Sequence, residues 1–170
     1  MHTHLATHLD APSHFLQDHL ESGRGVEALD LTALNGPALV IQVPSGSNIT
    51  DEVMQGLHLP KGIKRLILKT DNTARGLMHQ TPFHSDYTAM DSSGAEWLVT
   101  NTEIKLIGID YLSIAMFDDL TQTHEVLLQK LVIPVEGLVL DGVPEGIHNV
   151  HCLPLLLEGS DGAPCRCILM

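Results

Sequence analysis

The chain has 170 residues, of which 44% are hydrophobic and 18% are charged, enough for one globular domain with a buried core. Its formal net charge of −12 disfavours nucleic acid and acidic membranes as partners, because phosphate contacts require clustered Lys and Arg. No apolar run approaches the roughly 20 residues that span a bilayer, so we expect a single domain, residues 1–170, with neither kind of partner.

The first distinctive element is the N-terminal pattern H-x-x-x-H-x-D-A-P-x-H, which contains His4, His8, Asp10 and His14. Imidazole and carboxylate groups bind divalent ions, and three such ligands leave a coordination position for water or substrate. A helix is disfavoured because His4 and His8 would share one helical face, whereas Asp10 would lie on a different face. Pro12 fits a strand that runs into a loop.

A straight strand cannot bring these ligands to one ion. From His4 to Asp10 it would span roughly 20 Å at about 3.3 Å per residue. The segment must therefore bend before Asp10, or the ligands must serve two ions. The alternative is a solvated histidine-rich tail with incidental metal affinity.

The next elements follow a β-α-β order. We predict a strand at 38–43, turn chemistry at 44–48, a helix from an N-cap at Thr50 to about Leu57, and a strand at 65–69. The stretch from Thr70 to Tyr87 has no clear period and is predicted to be a long loop, with His79 and His84 at its surface.

The second half continues with short helices and strands. We predict a helix at 94–100 that buries Trp97 and Leu98, a strand at 104–109, a helix at 123–130 and a strand at 131–135. A final hairpin pairs 149–157 with 166–170 around the turn at 159–162. Pro134 lacks a backbone donor and suits only an edge or an unpaired strand position.

Three cysteines lie near the end of the chain, Cys152, Cys165 and Cys167. Their odd number and apolar surroundings favour small buried strand residues over a disulfide or a metal site.

Two later residues could complete a metal site. His124 lies in the predicted helix, and Glu136 follows the strand that precedes Gly137. Spacing alone distinguishes neither residue from an ordinary solvated side chain.

The segment from His4 to His14 resembles the H-x-G-T-H-x-D-A-P-x-H motif of the cyclase family, which includes bacterial-type kynurenine formamidases. The resemblance continues through 105–113, Thr123-His124, 135–138 and 161–164, and thus covers essentially the whole chain. The stretches 108–119 and 151–169 are most similar to the plant cyclase-like branch.

The resemblance implies an α/β fold of the swivelling β/β/α type, with a β-barrel-like sheet core flanked by helices, in a homo-oligomer such as a homodimer. It implies two divalent metal ions, zinc or alternatively manganese. His4, His8 and Asp10 would bind one ion, and Asp10, His124 and Glu136 would bind the other. His14 would transfer protons.

The implied function is a metal-dependent amidohydrolase that uses a metal-activated water on a small-molecule substrate. An aryl formamide such as N-formylkynurenine would yield kynurenine and formate, a step of tryptophan catabolism. The alternatives are a non-catalytic metal-binding or regulatory protein, and a hydrolase of another small cyclic amide, as in the isatin hydrolases of the same family.

Two departures from the family pattern have structural consequences. Family members have core strands before the motif, so we expect a chain that lacks them to leave sheet edges unpaired. Ala6 replaces the motif glycine, and at a positive φ it would cost roughly 1 kcal/mol. The compartment remains open: cytoplasmic, or secreted if a leader precedes residue 1.

Overall fold

The computed structural model of the chain describes residues 2–170. Its helices and strands are, in chain order, β1 (His8–Asp10), α1 (Gln17–Glu21), α2 (Leu31–Leu34), β2 (Asn35–Gln42), α3 (Asp51–Gly56), β3 (Arg65–Lys69), α4 (Asp71–Ala74), α5 (Ser92–Asn101), β4 (Leu106–Ile109), α6 (Leu120–Gln129), β5 (Ile133–Glu136), β6 (Gly146–Pro154) and β7 (Gly162–Leu169). Short 3-10 helices include Pro12–His14 and Leu77–His79.

The strands form a closed barrel in the order β1-β5-β4-β3-β2-β6-β7. Strands β2 to β5 are parallel to one another, whereas β6, β7 and β1 pair antiparallel with their neighbours. This architecture confirms the predicted α/β fold with a barrel-like sheet flanked by helices. The prediction of unpaired sheet edges is wrong, because each described strand has a hydrogen-bonded neighbour on both sides.

Two apolar clusters lie on the two faces of the parallel strands. On β3, Leu66 and Leu68 pack with helix residues such as Leu98, while Ile67 packs inside the barrel with Val135. Successive strand side chains alternate between faces, and both faces are buried here. The continuous apolar run of β3 follows from this double burial, and the strand has its predicted bounds.

The predicted helices form with shifted ends. The Thr50 side chain accepts a hydrogen bond from the Val53 N–H and caps α3, as predicted. In α5, Leu98 is buried but Trp97 is only partly buried, so that part of the prediction is wrong. No helix within residues 2–170 is both long and apolar enough to cross a bilayer.

The stretch from Thr70 to Tyr87 is more ordered than the predicted loop. It contains α4 and the 3-10 helix Leu77–His79, and Tyr87 is buried. Asp110 at the end of β4 accepts hydrogen bonds from the backbone N–H groups of Thr70 and Thr73. These hydrogen bonds to a carboxylate distant in sequence hold the start of the segment in place, and the local sequence pattern does not reveal them.

The final hairpin is confirmed, but the cysteine prediction is wrong. Cys152 and Cys167 lie directly opposite each other on β6 and β7 and form a disulfide, and Cys165 is free. Cross-strand neighbours have closely spaced Cβ atoms, and only the register shows which cysteines are neighbours.

Pro134 lies inside β5 at a position that needs no donor. The preceding Ile133 N–H donates to the Lys105 carbonyl beside β4, so the Pro134 nitrogen faces β1. Strand β1 pairs with Val135 and Glu136 and does not reach Pro134. Pro134 is therefore unpaired on its β1 side, as predicted, while it lies in register with Ile107 on β4.

Candidate metal centre

Strand β1 lies between β5 and β7 and places the centre of the motif inside the fold. His8 is in register with Glu136 on β5, and its Nε2 lies 3.2 Å from Glu136 Oε2. Asp10 is in register with Gly162 on β7, and it is fully buried. The pairing of three strands thus brings residues from both ends of the chain to one point.

The chain bends at Ala6, which brings His4 back toward Asp10. Ala6 adopts a left-handed conformation with φ 55°, so the replaced motif glycine did occupy a position that favours glycine. The Ala6 carbonyl accepts a hydrogen bond from His8 Nδ1 at 2.8 Å, which leaves His8 Nε2 facing the carboxylates. His4 Nδ1 lies 2.9 Å from Asp10 Oδ1.

Helix α6 supplies the third histidine. His124 Nδ1 donates to the Leu120 carbonyl at 2.7 Å, so its Nε2 points into the cluster. That nitrogen lies 3.2 Å from Glu136 Oε1 and 3.5 Å from Asp10 Oδ2. The backbone N–H of Ile114 also donates to Glu136 Oε1 at 2.7 Å and fixes that carboxylate.

The donor set fits divalent metal ions. The ligand atoms of His4, His8 and Asp10 lie within 4.8 Å of one another, as do those of Asp10, His124 and Glu136. Both oxygens of the buried Asp10 lack a hydrogen bond of acceptable geometry, although imidazole nitrogens surround them. Buried carboxylates without such partners are costly unless a cation neutralises them. These two groups are the ones that the family resemblance implies.

The electrostatics of the cluster favour bound protons when no metal competes. Burial lowers the pKa of His124, but contacts with Asp10 and Glu136 outweigh it and raise the pKa to about 10. Burial also lowers the pKa of His4, but contacts with Asp10 and Asp161 outweigh it and raise this pKa to about 9. Burial would raise the pKa of Asp10, yet the contacts with His124 and His4 hold it well below its usual range.

His14 lies beside the cluster and stacks on His4, with ring centroids 3.9 Å apart. Burial and the nearby charge of His4 lower the pKa of His14, although Asp10 and Asp161 oppose this shift. Phe15 stacks on His124 with centroids 4.5 Å apart. All six predicted site residues therefore lie in one cluster. Their roles as metal ligands and proton carrier stay predictions.

One residue at the site was missed by the sequence reasoning. Asp161 Oδ2 lies 3.1 Å from His14 Nδ1 and 3.2 Å from His4 Nε2. It lies in the predicted turn of the final hairpin, where an aspartate is ordinary turn chemistry. Nothing in its local spacing links it to the N-terminal histidines.

His79 and His84 lie outside the cluster. His79 is exposed and pairs with Asp141 at 3.0 Å, as predicted for a surface residue, and His84 is partly buried.

This closed barrel with a buried histidine and carboxylate cluster is the fold of proteins described as metal-dependent hydrolases. A solved structure described as a potential metal-dependent hydrolase with cyclase activity superimposes with a TM-score of 0.84 at 32% identity, covering 99% of this chain and 79% of that chain. The putative cyclase family matches residues 1–116, and the chain belongs to this family.

Two kinds of relatives are similar to the chain, and their names differ in how much they state about function. Cyclase-like protein 3 of Oryza sativa subsp. japonica is 51% identical over 99% of this chain and 63% of its own length. The kynurenine formamidase of Bacillus mycoides (strain KBAB4) is 32% identical over 99% of this chain and 77% of its own length. The chain thus spans less than two thirds of this plant relative.

Proposed function

We propose that the chain is a metal-dependent amidohydrolase that acts on an aryl formamide such as N-formylkynurenine, releasing kynurenine and formate in tryptophan catabolism. The observation that carries this proposal is the buried cluster around Asp10, whose oxygens face imidazole nitrogens and lack hydrogen bonds. The similarity to a kynurenine formamidase supports the choice of substrate class.

The proposed ligand sets are His4, His8 and Asp10 for one ion, and Asp10, His124 and Glu136 for the other. Asp10 has one oxygen toward each set, since His4 faces Oδ1 and His124 faces Oδ2. Zinc is the proposed metal and manganese the alternative, because both accept nitrogen and oxygen ligands. Divalent ions there would supply Lewis acidity toward an amide carbonyl and would acidify water.

The protein itself supplies orientation and proton transfer. Hydrolysis breaks the C–N bond of the formamide, adds water across it and requires one proton on the leaving amine. His14 is the proposed group that accepts a proton from water and delivers it to that nitrogen. Its partial burial and its contact with His4 place an imidazole beside the ligand cluster.

The test combines metal content with turnover on the purified chain. We expect about two ions per chain by elemental analysis, and hydrolysis of N-formylkynurenine that disappears with a chelator and returns with zinc or manganese. Bound metal without hydrolysis of any formamide, lactam or ester would reject the amidohydrolase. Absence of metal binding would reject the site itself.

A second candidate is a non-catalytic metal-binding protein. Its support is that the plant relatives, which are about half identical to this chain, are named only cyclase-like. The same experiment separates the two candidates, because this one requires metal without turnover. In either case a small molecule, rather than nucleic acid or membrane, is the proposed ligand.

We also propose a homo-oligomer. The outer face of the β6–β7 hairpin exposes Ile147 and Leu153, each at 59%, and Ile168 at 46%. These residues share one face, because Ile168 is in register with His151 and side chains alternate along β6. Light scattering should give at least twice the chain mass, and a monomer at micromolar concentration would contradict the proposal.

A further inference from the structure

Asp161 holds two histidines of the site with a single oxygen. Its Oδ2 lies 3.2 Å from His4 Nε2 and 3.1 Å from His14 Nδ1. Its other oxygen, Oδ1, accepts a hydrogen bond from the Thr3 hydroxyl at 3.2 Å. The two imidazoles are stacked, so one carboxylate bridges their edges on the side away from Asp10.

The direction of the His4 ring decides what Asp161 does there. Nδ1 of His4 faces Asp10 and is the nitrogen available to an ion in the first ligand set. A neutral imidazole that ligates through one nitrogen carries its proton on the other. His4 Nε2–H therefore donates to Asp161, which fixes the ring orientation and makes the ligating nitrogen more basic.

The same contact fixes the tautomer of His14. Because a carboxylate only accepts hydrogen bonds, His14 Nδ1 must carry a proton toward Asp161. The lone pair of the neutral ring is then on Nε2, which is the nitrogen left to accept a proton from water. One carboxylate thus orients both a ligand and the proposed proton-transfer group.

The backbone beside Asp161 is shaped for this arrangement. A Cβ atom at Gly162 would lie 2.6 Å from His4 Cε1, too close for the imidazole to stay in place. The carbonyl of Asp161 also accepts a hydrogen bond from the Ala11 N–H at 2.9 Å, which ties the turn to the motif.

We infer that Asp161 is a positioning residue that sets the orientation of His4 toward the metal and the tautomer of His14 for proton transfer. The inference rests on the proposed function only for the role of His14. The contact to His4 concerns metal binding alone.

The first test is a spectroscopic measurement on the zinc-loaded wild-type chain. Long-range proton–nitrogen NMR distinguishes the two tautomers of each histidine, and we expect His14 to carry its proton on Nδ1. A proton on Nε2 of neutral His14 would overturn the inference without any variant.

The second test uses Asp161→Ala, with Asp141→Ala as the matched control. Asp141 makes a similar contact, 3.0 Å to His79 Nε2, on the exposed surface. We expect Asp161→Ala to lower the zinc affinity by about 10- to 100-fold and to lower kcat by about the same factor. KM should change little. Asp161→Asn retains an acceptor oxygen and should be intermediate. The control, Asp141→Ala, should match the wild type in zinc affinity, kcat and KM.

The outcomes separate this inference from the proposed function. Unchanged zinc affinity and unchanged His14 tautomer in a folded Asp161→Ala would overturn the inference, even in an active hydrolase. A wild-type chain without hydrolase activity, in which Asp161 still controls zinc affinity and tautomer, would reject only the proposed function. The ligand atoms of His4, His14 and Asp161 also lie within 4.8 Å of one another. Loss of one zinc ion per chain at saturating zinc in Asp161→Ala would therefore make Asp161 a ligand and would overturn the inference.

Discussion

Two aspartates at strand ends are equally buried but have opposite surroundings. Asp10 at the end of β1 is 0% exposed, and Asp110 after β4 is 1% exposed. Asp110 accepts hydrogen bonds from the N–H and hydroxyl groups of Thr70 and Thr73. Asp10 faces the imidazole nitrogens of His4 and His124, without a hydrogen bond of acceptable geometry. The comparison shows that the available donors, rather than depth, separate a structural carboxylate from a candidate ligand.

The largest expected effect comes from removing the carboxylate that both proposed ligand sets share. Asp10→Ala should abolish metal binding and reduce turnover to background, because neither set keeps its three ligands. Elemental analysis and an N-formylkynurenine assay would measure both losses, with circular dichroism to confirm folding. Retention of both ions in the variant would contradict the shared role of Asp10.

Removing the proposed proton carrier should leave the metal sites intact. His14→Ala keeps every residue of the two ligand sets, so about two ions should remain. Turnover should fall by about 10²- to 10⁴-fold, the usual contribution of general acid–base catalysis. A variant with wild-type kcat would remove the proton-transfer role from His14 and leave the metal assignment in place.

Metal binding should depend on pH, because protons occupy the cluster when no ion is bound. The raised pKa values of about 9 for His4 and about 10 for His124 stabilise the metal-free fold below about pH 6.5, and this contribution is lost as the pH rises through those values. Zinc must displace these protons, so its affinity should rise by about tenfold per pH unit for each displaced proton. Calorimetry in two buffers of different ionisation enthalpy between pH 6 and 8 would count them. A pH-independent affinity would contradict this electrostatic description.

At the second aspartate the expected effect is on stability. Asp110→Asn keeps one oxygen that can accept from the backbone N–H groups of Thr70 and Thr73. Its NH₂ group then replaces Oδ1, which accepts from the Thr70 hydroxyl, and the remaining hydrogen bonds lose the carboxylate charge. The free energy of unfolding should fall by about 2 kcal/mol in urea titrations. The folded variant should still bind metal, and the exposed Asp141→Asn serves as control. A change of less than about 0.5 kcal/mol would show that the Asp110 hydrogen bonds contribute little.

The smallest expected effect restores the family glycine. Alanine in the left-handed conformation at position 6 costs about 1–2 kcal/mol, and Ala6→Gly removes this cost. Glycine also has more backbone freedom in the unfolded chain, which lowers the free energy of the unfolded state by up to about 1 kcal/mol. The net gain should be about 0.5 kcal/mol in the metal-free protein. A loss of stability would show that the methyl group makes contacts that outweigh the strain.

Much of the fold follows from local patterns in the sequence. The apolar run of β3 and the Thr50 cap of α3 are encoded within a few residues, and their elements form where they are predicted. The left-handed bend at Ala6 is consistent with the family glycine at that position. Two of the failures have a partner outside the local segment: Asp110 after β4 for the stretch 70–87, and the facing strand of the hairpin for the cysteines.

By itself, the sequence determined the N-terminal donor set, because four ligand-type side chains lie within one short segment and the family motif identifies them. Spacing alone did not distinguish His124 and Glu136, which the family resemblance implied as ligands. Only the tertiary structure decided that Asp161 joins the site and that Cys152 pairs with Cys167. The physical reason is that strand register and helix docking depend on burial summed over the whole barrel. No local spacing carries that information.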